Sequence, residues 1–306
     1  MTARYRITHK TAYYYEADVS ASYGRMRLLP REQPGQRCLE SSVTIEPDPG
    51  DHSQHIDIFG NRVDYMSIHE PHRVLTITAS SVVEVDAPPS LPLAGGQPWE
   101  SVRDGVGHTG GEDDVTAVQF SIDSPLVGAS EPFRAYAEAS FPPGRPLAEA
   151  VIDLSSRIHR EFEFVADATD VNTPPETVLK TRTGVCQDFA HVGIACLRSL
   201  GLPARYVSGY LETDPPPGME RLTGADVSHA WFGAFVPGAG WIDVDPTNDQ
   251  VPGQRYIVTA YGRDYSDVAP VSGVIYTRGR TKSLEVVVDV LGVDPSGPTD
   301  LPTPTS

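Results

Sequence analysis

Apolar residues recur along this chain at two periods, and the order of those periods limits its fold more than any one motif does. Through residue 85 the spacing is that of strands. Arg4 to Tyr15 is rich in Tyr, Ile and Thr, and Ser42-Val43-Thr44-Ile45-Glu46 and Val74-Leu75-Thr76-Ile77-Thr78 alternate residue by residue. Turn clusters at Pro47 to Asp51 and at Phe59-Gly60-Asn61 separate these runs. Helical spacing appears only later. Pro146 suits the first position of a helix whose apolar stripe is Leu147, Val151, Leu154, Ile158 and Phe162. A second helix starts near Cys186, carries Phe189, Ala190, Gly193, Ile194, Leu197 and Leu200 on one face, and is stopped by Gly201 and Pro203. Strand spacing then returns over 205–211, 227–236, 241–244, 256–260 and 284–291. Helices followed by strands in one unit give an α+β arrangement rather than a wound α/β one.

These patterns divide the 306 residues into four parts. An all-β, sandwich-like domain is expected over 1–85, and an irregular linker rich in Pro, Gly and Asp over 86–115. The α+β domain follows over 116–292, and a tail over 293–306, with no core-forming residue but Leu301, is expected to be disordered. A formal charge of −17 argues against nucleic acid or an anionic membrane as partner, since both attract basic surfaces. No run approaches the roughly 20 apolar residues of a membrane helix. The N-terminus leads into a strand pattern with no apolar h-region, so no secretory signal is expected. The three cysteines, Cys38, Cys186 and Cys196, form no C-x-x-C pair. The reading is a reduced, cytoplasmic protein needing no metal or cofactor.

One cysteine stands apart. Cys186 follows Gly184-Val185 at the first turn of its helix, where unpaired N–H groups and the positive end of the macrodipole favour thiolate over thiol. The same N–H groups suit the oxyanion formed when a thiolate attacks an amide carbonyl, and Gly184 admits close approach of a substrate. Cys196, mid-helix without polar company, reads as core.

A base and its orienter lie farther on, in Ser228-His229-Ala230-Trp231 and Asp243-Val244-Asp245-Pro246-Thr247. Their geometry depends on the hairpin between them. A clean four-residue loop, Pro237 to Gly240, would set Val236 against Trp241 and point His229 and Asp245 to opposite faces. A five-residue loop, Val236 to Gly240, pairs Phe235 with Trp241 and makes His229 and Asp245 diagonal neighbours on one face. The Pro-Gly-Ala-Gly composition permits either. Asp243, Asp245, Thr247 and Asp249 also alternate like calcium-loop ligands, but Asn248 stands where the glycine belongs and Gln254 where the bidentate Glu belongs.

Taken together, these stretches resemble the bacterial transglutaminase-like superfamily, whose fold is related to papain-like cysteine proteases. The resemblance rests on Gly184-Val185-Cys186-Gln187-Asp188-Phe189-Ala190-His191, Gly201-Leu202-Pro203-Ala204-Arg205-Tyr206, Ser228-His229-Ala230-Trp231 and Asp245-Pro246-Thr247, and extends to Gly262 to Val268 and to the N-terminal β-region. It implies Cys186 as nucleophile, His229 as base and Asp245 as its orienter. Trp231 and Gln187 are candidates for binding substrate, and Trp241 for walling a cleft. Asp188 and His191 flank Cys186 on its own helix and are read as structural, in an ion pair or hydrogen bond, with pairing to Arg205 or capping of the site as the alternatives; Arg263, Asp264 and Asp267 have no role that spacing alone supplies. The implied activity is acyl transfer from a peptide or protein substrate through a thioester. Water as acceptor makes a peptidase or amidase, an amine makes a protein-glutamine gamma-glutamyltransferase, and a cleft that holds peptide without cleaving it is a binding module.

Overall fold

The computed structural model describes residues 2–88, 96–107, 116–214, 226, 228–237 and 240–294; the tail expected to be disordered lies outside them beyond Asp294. Strand β1 runs from Thr2 to Met26, and its buried Tyr5, Ile7, His9 and Thr11 alternate as the sequence spacing requires. The other strands of the region are β2 (Gln36–Glu46), β3 (Asp51–Ile56), β4 (Arg62–Ile68) and β5 (His72–Asp86). All lie in one sheet, ordered β2-β5-β1-β4-β3. The first part of β1 pairs with β5 and the part from Ser22 onward with β4, so one long strand serves two arms. Those arms close over a shared core of Ile45, Leu75 and Ile77 from one and Met66 and Ile68 from the other.

The elements that follow include α1 (Trp99–Gly105), α2 (Glu131–Glu138), α3 (Leu147–Glu161), β6 (Glu163–Phe164), α4 (Pro175–Thr181), β7 (Thr183–Gly184) and α5 (Cys186–Ser199). Within 86–115, where the sequence suggests only a linker, α1 buries Trp99 and Val102 in the main core. A seven-residue helix with two apolar anchors is too short to show a period. A four-stranded antiparallel sheet comes next, formed by β8 (Ala204–Leu211), β9 (Ser228–Val236), β10 (Gly240–Val244) and β11 (Tyr256–Gly262), in the order β10-β9-β8-β11. Helix α5 packs on it through Ala190, Ile194 and Leu197 against Tyr206, Ala230, Phe232 and Ala234. Gly193 permits that closeness, because a Cβ there would sit 2.3 Å from the Phe232 ring.

After the short helix α6 (Tyr265–Val268), strands β12 (Val271–Thr277) and β13 (Thr281–Val293) return to the N-terminal sheet and pair with β1. The sequence reading placed them in the α+β domain. Alternation predicts that a segment is a strand and which face it buries, but not which distant strand it joins. Val288 and Val290 of β13 lie against Tyr5 and Ile7 and also against Tyr210 and Ile257, so the returning strand helps weld the two units.

Candidate active site

The chain approaches Cys186 through a held segment. Arg182 ends α4 in the left-handed region at φ 58°, and β7 then pairs in parallel with β6. Val185 precedes the helix and has no polar side chain to cap it. The cap is closed from inside instead: Asp188 Oδ2 accepts from the Val185 N–H at 2.8 Å and from Thr169 Oγ1 at 2.6 Å. Gly184 accommodates this, since a Cβ there would lie 2.8 Å from Asp188 Oδ2. The glycine therefore makes room for Asp188 rather than for a substrate. Burial raises the Asp188 carboxyl, against the hydrogen bonds from Thr169 and Val185 that lower it. Cys186 itself is half-buried at the head of α5.

The hairpin adopts the second of the two registers considered. Gly240 faces Val236, Trp241 faces Phe235 and Asp243 faces Gly233, which sets Asp245 on the same side as His229. His229 Nε2 and Asp245 Oδ2 are 2.8 Å apart, with side chains 5% and 0% exposed. Burial pushes the imidazole down, but hydrogen bonds with Asp245 and with the Cys186 thiol outweigh it and raise His229 to about 10. With Nε2 taken by Asp245, Nδ1 is the nitrogen left for the thiol. Burial likewise opposes ionisation of Asp245, and its bonds to His229, Asn248 and Tyr256 reverse the balance and hold it below the usual carboxylate range.

Two residues at this site escaped the sequence reading. Tyr256 donates its hydroxyl to Asp245 Oδ2 at 2.8 Å, and Asn248 donates Nδ2 to the same oxygen at 2.7 Å. The backbone N–H groups of Thr247 and Asn248 reach Oδ1 at 2.8 and 3.3 Å. The Asp-Pro-Thr-Asn run carries a signal for the latter pair, since an Asp accepting from N–H groups two and three residues on is an Asx-type turn. Tyr256 is eleven residues away on another strand and has no such signature.

The remaining candidates scatter. Trp231 is fully buried and packs edge-on against Tyr256 at 5.3 Å, with its ring 5.9 Å from His229. It supports the histidine from the core side and is also among the residues that line a neighbouring cavity of about 670 Å³. Gln187 donates to the Val171 carbonyl at 3.1 Å and so braces a neighbouring loop. Trp241 is partly exposed and packs edge-on against Phe120 and at a tilt against Phe235. Arg205 pairs with Asp243, not Asp188. His191 accepts from the Tyr265 N–H at 3.1 Å, and burial lowers its pKa, as suits an acceptor. Arg263 pairs with Asp267, and Asp264 caps α6 by accepting from Ser266 N. The four residues of the calcium-loop pattern do not converge: Asp243 is held by Arg205, Asp245 by His229, and Asp249 accepts from Ser156.

Comparison with known proteins bears on the family and the fold. The family described as bacterial transglutaminase-like N-terminal region matches residues 5–84, and the transglutaminase-like superfamily matches residues 134–246. An uncharacterized protein of Mycobacterium tuberculosis is 46% identical over 297 residues, spanning 95% of this chain and 93% of that one. A solved structure from Cytophaga hutchinsonii, described as a candidate cysteine protease, superposes with a TM-score of 0.73 at 21% identity, covering 96% of this chain and 92% of its own. A protein-glutamine gamma-glutamyltransferase of Pseudomonas aeruginosa is 35% identical over 111 residues, which is 35% of this chain and 17% of that protein. Among the described residues, no helix is long and apolar enough to cross a membrane.

Proposed function

The chain belongs to the transglutaminase-like superfamily, and on that premise we propose that it is a cysteine-dependent acyl-transfer enzyme acting on peptide or glutamine-type amides, with water as acceptor. One observation carries the reading: a buried His229 fixed by Asp245 at 2.8 Å, with a half-buried Cys186 at a helix start close enough to raise the imidazole's pKa. In this scheme Cys186 Sγ attacks the amide carbonyl, and the oxyanion forms beside the first-turn N–H groups of α5. Collapse of that intermediate breaks the C–N bond, and the leaving amine takes its proton from His229. His229 then removes a proton from water, the hydroxide attacks the thioester, and the acid departs as Cys186 is restored. Asp245 keeps the imidazole in one orientation throughout.

The test is a trapped acyl group. Incubation with a peptide mixture and mass spectrometry should place an acyl adduct on Cys186, and Cys186→Ala should abolish turnover; activity retained in that variant would sink the mechanism. Water is favoured because only a shaped amine site that excludes it lets an amine compete. The stretch shared with the Pseudomonas gamma-glutamyltransferase supports the transfer alternative. Incorporation of a labelled primary amine into a glutamine peptide, faster than release of free acid, would select it. The free thiols support a reduced, cytoplasmic setting, which cell fractionation tests.

A further inference from the structure

Away from the triad, the N-terminal region and the four-stranded sheet enclose a cavity of about 560 Å³, lined among others by Arg31, Phe59, Phe120, Arg205, Trp241 and Tyr261. Its walls are aromatic: Phe59 and Phe120 lie 5.6 Å apart and Phe120 and Trp241 5.1 Å. Its charged groups are two arginines, Arg31 and Arg205, and one carboxylate, Glu32. The guanidinium carbons of Arg31 and Arg205 both stack on the Tyr261 ring, at 4.1 and 3.5 Å from its centroid.

The two arginines are not equivalent. Arg205 is neutralised by Asp243, whose carboxylate oxygens accept from Nη2 at 3.0 and 3.1 Å. Arg31 donates only to neutral acceptors, the Phe59 carbonyl at 3.2 Å and Asn61 Oδ1 at 2.6 Å, and its buried Nε has no partner. The carboxylates near it are engaged elsewhere: Asp57 with Arg27 at 3.2 Å, and Glu32 with the Cys38 N–H at 2.9 Å. Burial lowers the Arg31 pKa, and the charge of Arg205 adds to the lowering. Tyr261 and Asp57 oppose that lowering, but among the described residues no carboxylate is bonded to the guanidinium, which is costly for a group largely withdrawn from water and conspicuous in a chain of net charge −17.

We propose that this cavity binds a carboxylate carried on an aromatic or aliphatic body, in the form of the free C-terminus of a peptide. Arg31 supplies the charge-assisted hydrogen bonds a carboxylate takes, and Phe59, Phe120 and Trp241 receive the adjoining side chain. Trp241 also lines a second cavity of about 670 Å³ that reaches Tyr256, the residue that donates to Asp245. The site thus adjoins the back of the triad, but its binding chemistry does not involve Cys186, so this inference goes beyond acyl transfer.

Calorimetric titration of the full chain tests it with three probes: N-acetyl-phenylalanine, its amide, and the tetrapeptide Gly-Gly-Gly-Phe with a free C-terminus. Both acids should bind, and the amide should bind at least about tenfold more weakly, as loss of a charge-assisted bond predicts. Arg31→Gln should reduce the acids to the level of the amide, and Arg31→Lys should recover part of the difference. Arg31 also braces the Phe59 turn, so the acid-to-amide ratio in the unaltered protein decides alone if Arg31→Gln fails to fold. Binding should persist in Cys186→Ala, which separates this inference from the catalytic one. Equal affinity for acid and amide, no binding of either acid at millimolar concentration, or a folded Arg31→Gln that binds acid normally would overturn it. Binding of the single amino acid without the tetrapeptide would overturn the peptide assignment.

Discussion

Asp245 has no exposed surface, and the donors gathered on its carboxylate explain how a buried charge is kept in place. Replacing it with Asn leaves burial, which lowers His229, opposed only by Cys186. The alkaline limb of the pH–rate profile should therefore move to lower pH, and turnover should fall by orders of magnitude as the imidazole loses its orientation. Tyr256→Phe is milder, since it removes one donor and keeps the ring; a loss of roughly tenfold to a hundredfold in kcat with KM little changed is expected. A substantial rise in KM with kcat intact would instead place the hydroxyl on the substrate. Iodoacetamide reports on the nucleophile itself. Burial raises the pKa of both Cys38 and Cys196, so Cys186 should alkylate far ahead of them, and equal rates would favour a binding module.

Among the elements, β11 shows a solution to an exposed sheet edge. Among the described residues its outer side meets no further strand; Gln36 instead donates to the Val258 carbonyl and accepts from its N–H, both at 2.8 Å, and Asn61 does the same for Tyr261 at 2.7 and 2.8 Å. Two side-chain amides stand in for a strand. Gln36→Ala should cost about 1–3 kcal/mol in urea unfolding by stranding the Val258 N–H, the carbonyl keeping the Arg31 N–H at 3.1 Å, and a change within measurement error would mean that water replaces the amide. Gly193→Ala tests the contact between α5 and the sheet, with a loss of about 1–3 kcal/mol expected from the displaced Phe232 ring. These elements differ in how far they could be read in advance. The start of α5 at Cys186 and its stop before Gly201 follow from local chemistry, and the register of the β9–β10 hairpin was one of two alternatives that local chemistry allowed. Gln36 and Asn61 act on partners 222 and 200 residues away, and no local pattern marks an amide as a strand substitute.

At the scale of the molecule, the junction of the two units carries its own titration. Tyr210 of β8 donates to the Leu28 carbonyl at 2.8 Å, so its oxygen accepts from His9 Nδ1 of β1 at 3.0 Å, while His9 Nε2 faces Thr11. That network suits a neutral imidazole, and burial lowers His9 to about 4. Between pH 4 and 6.5 the unfolded chain binds the proton that the folded chain refuses, so stability rises with pH across that window. His229 has the opposite sign: raised to about 10, it adds stability that is complete below 6.5 and is lost as pH climbs towards 10. Asp245 is held below the usual carboxylate range, so its contribution is lost only at more acid pH. Unfolding free energy measured across this range should therefore peak near pH 6.5. His9→Gln should flatten the acid limb by roughly 3 kcal/mol, and Asp245→Asn should flatten the alkaline one. Because His9 belongs to the N-terminal sheet and His229 to the four-stranded sheet, the limbs should respond independently; an acid limb unchanged in His9→Gln would show that the junction is not what acid loosens.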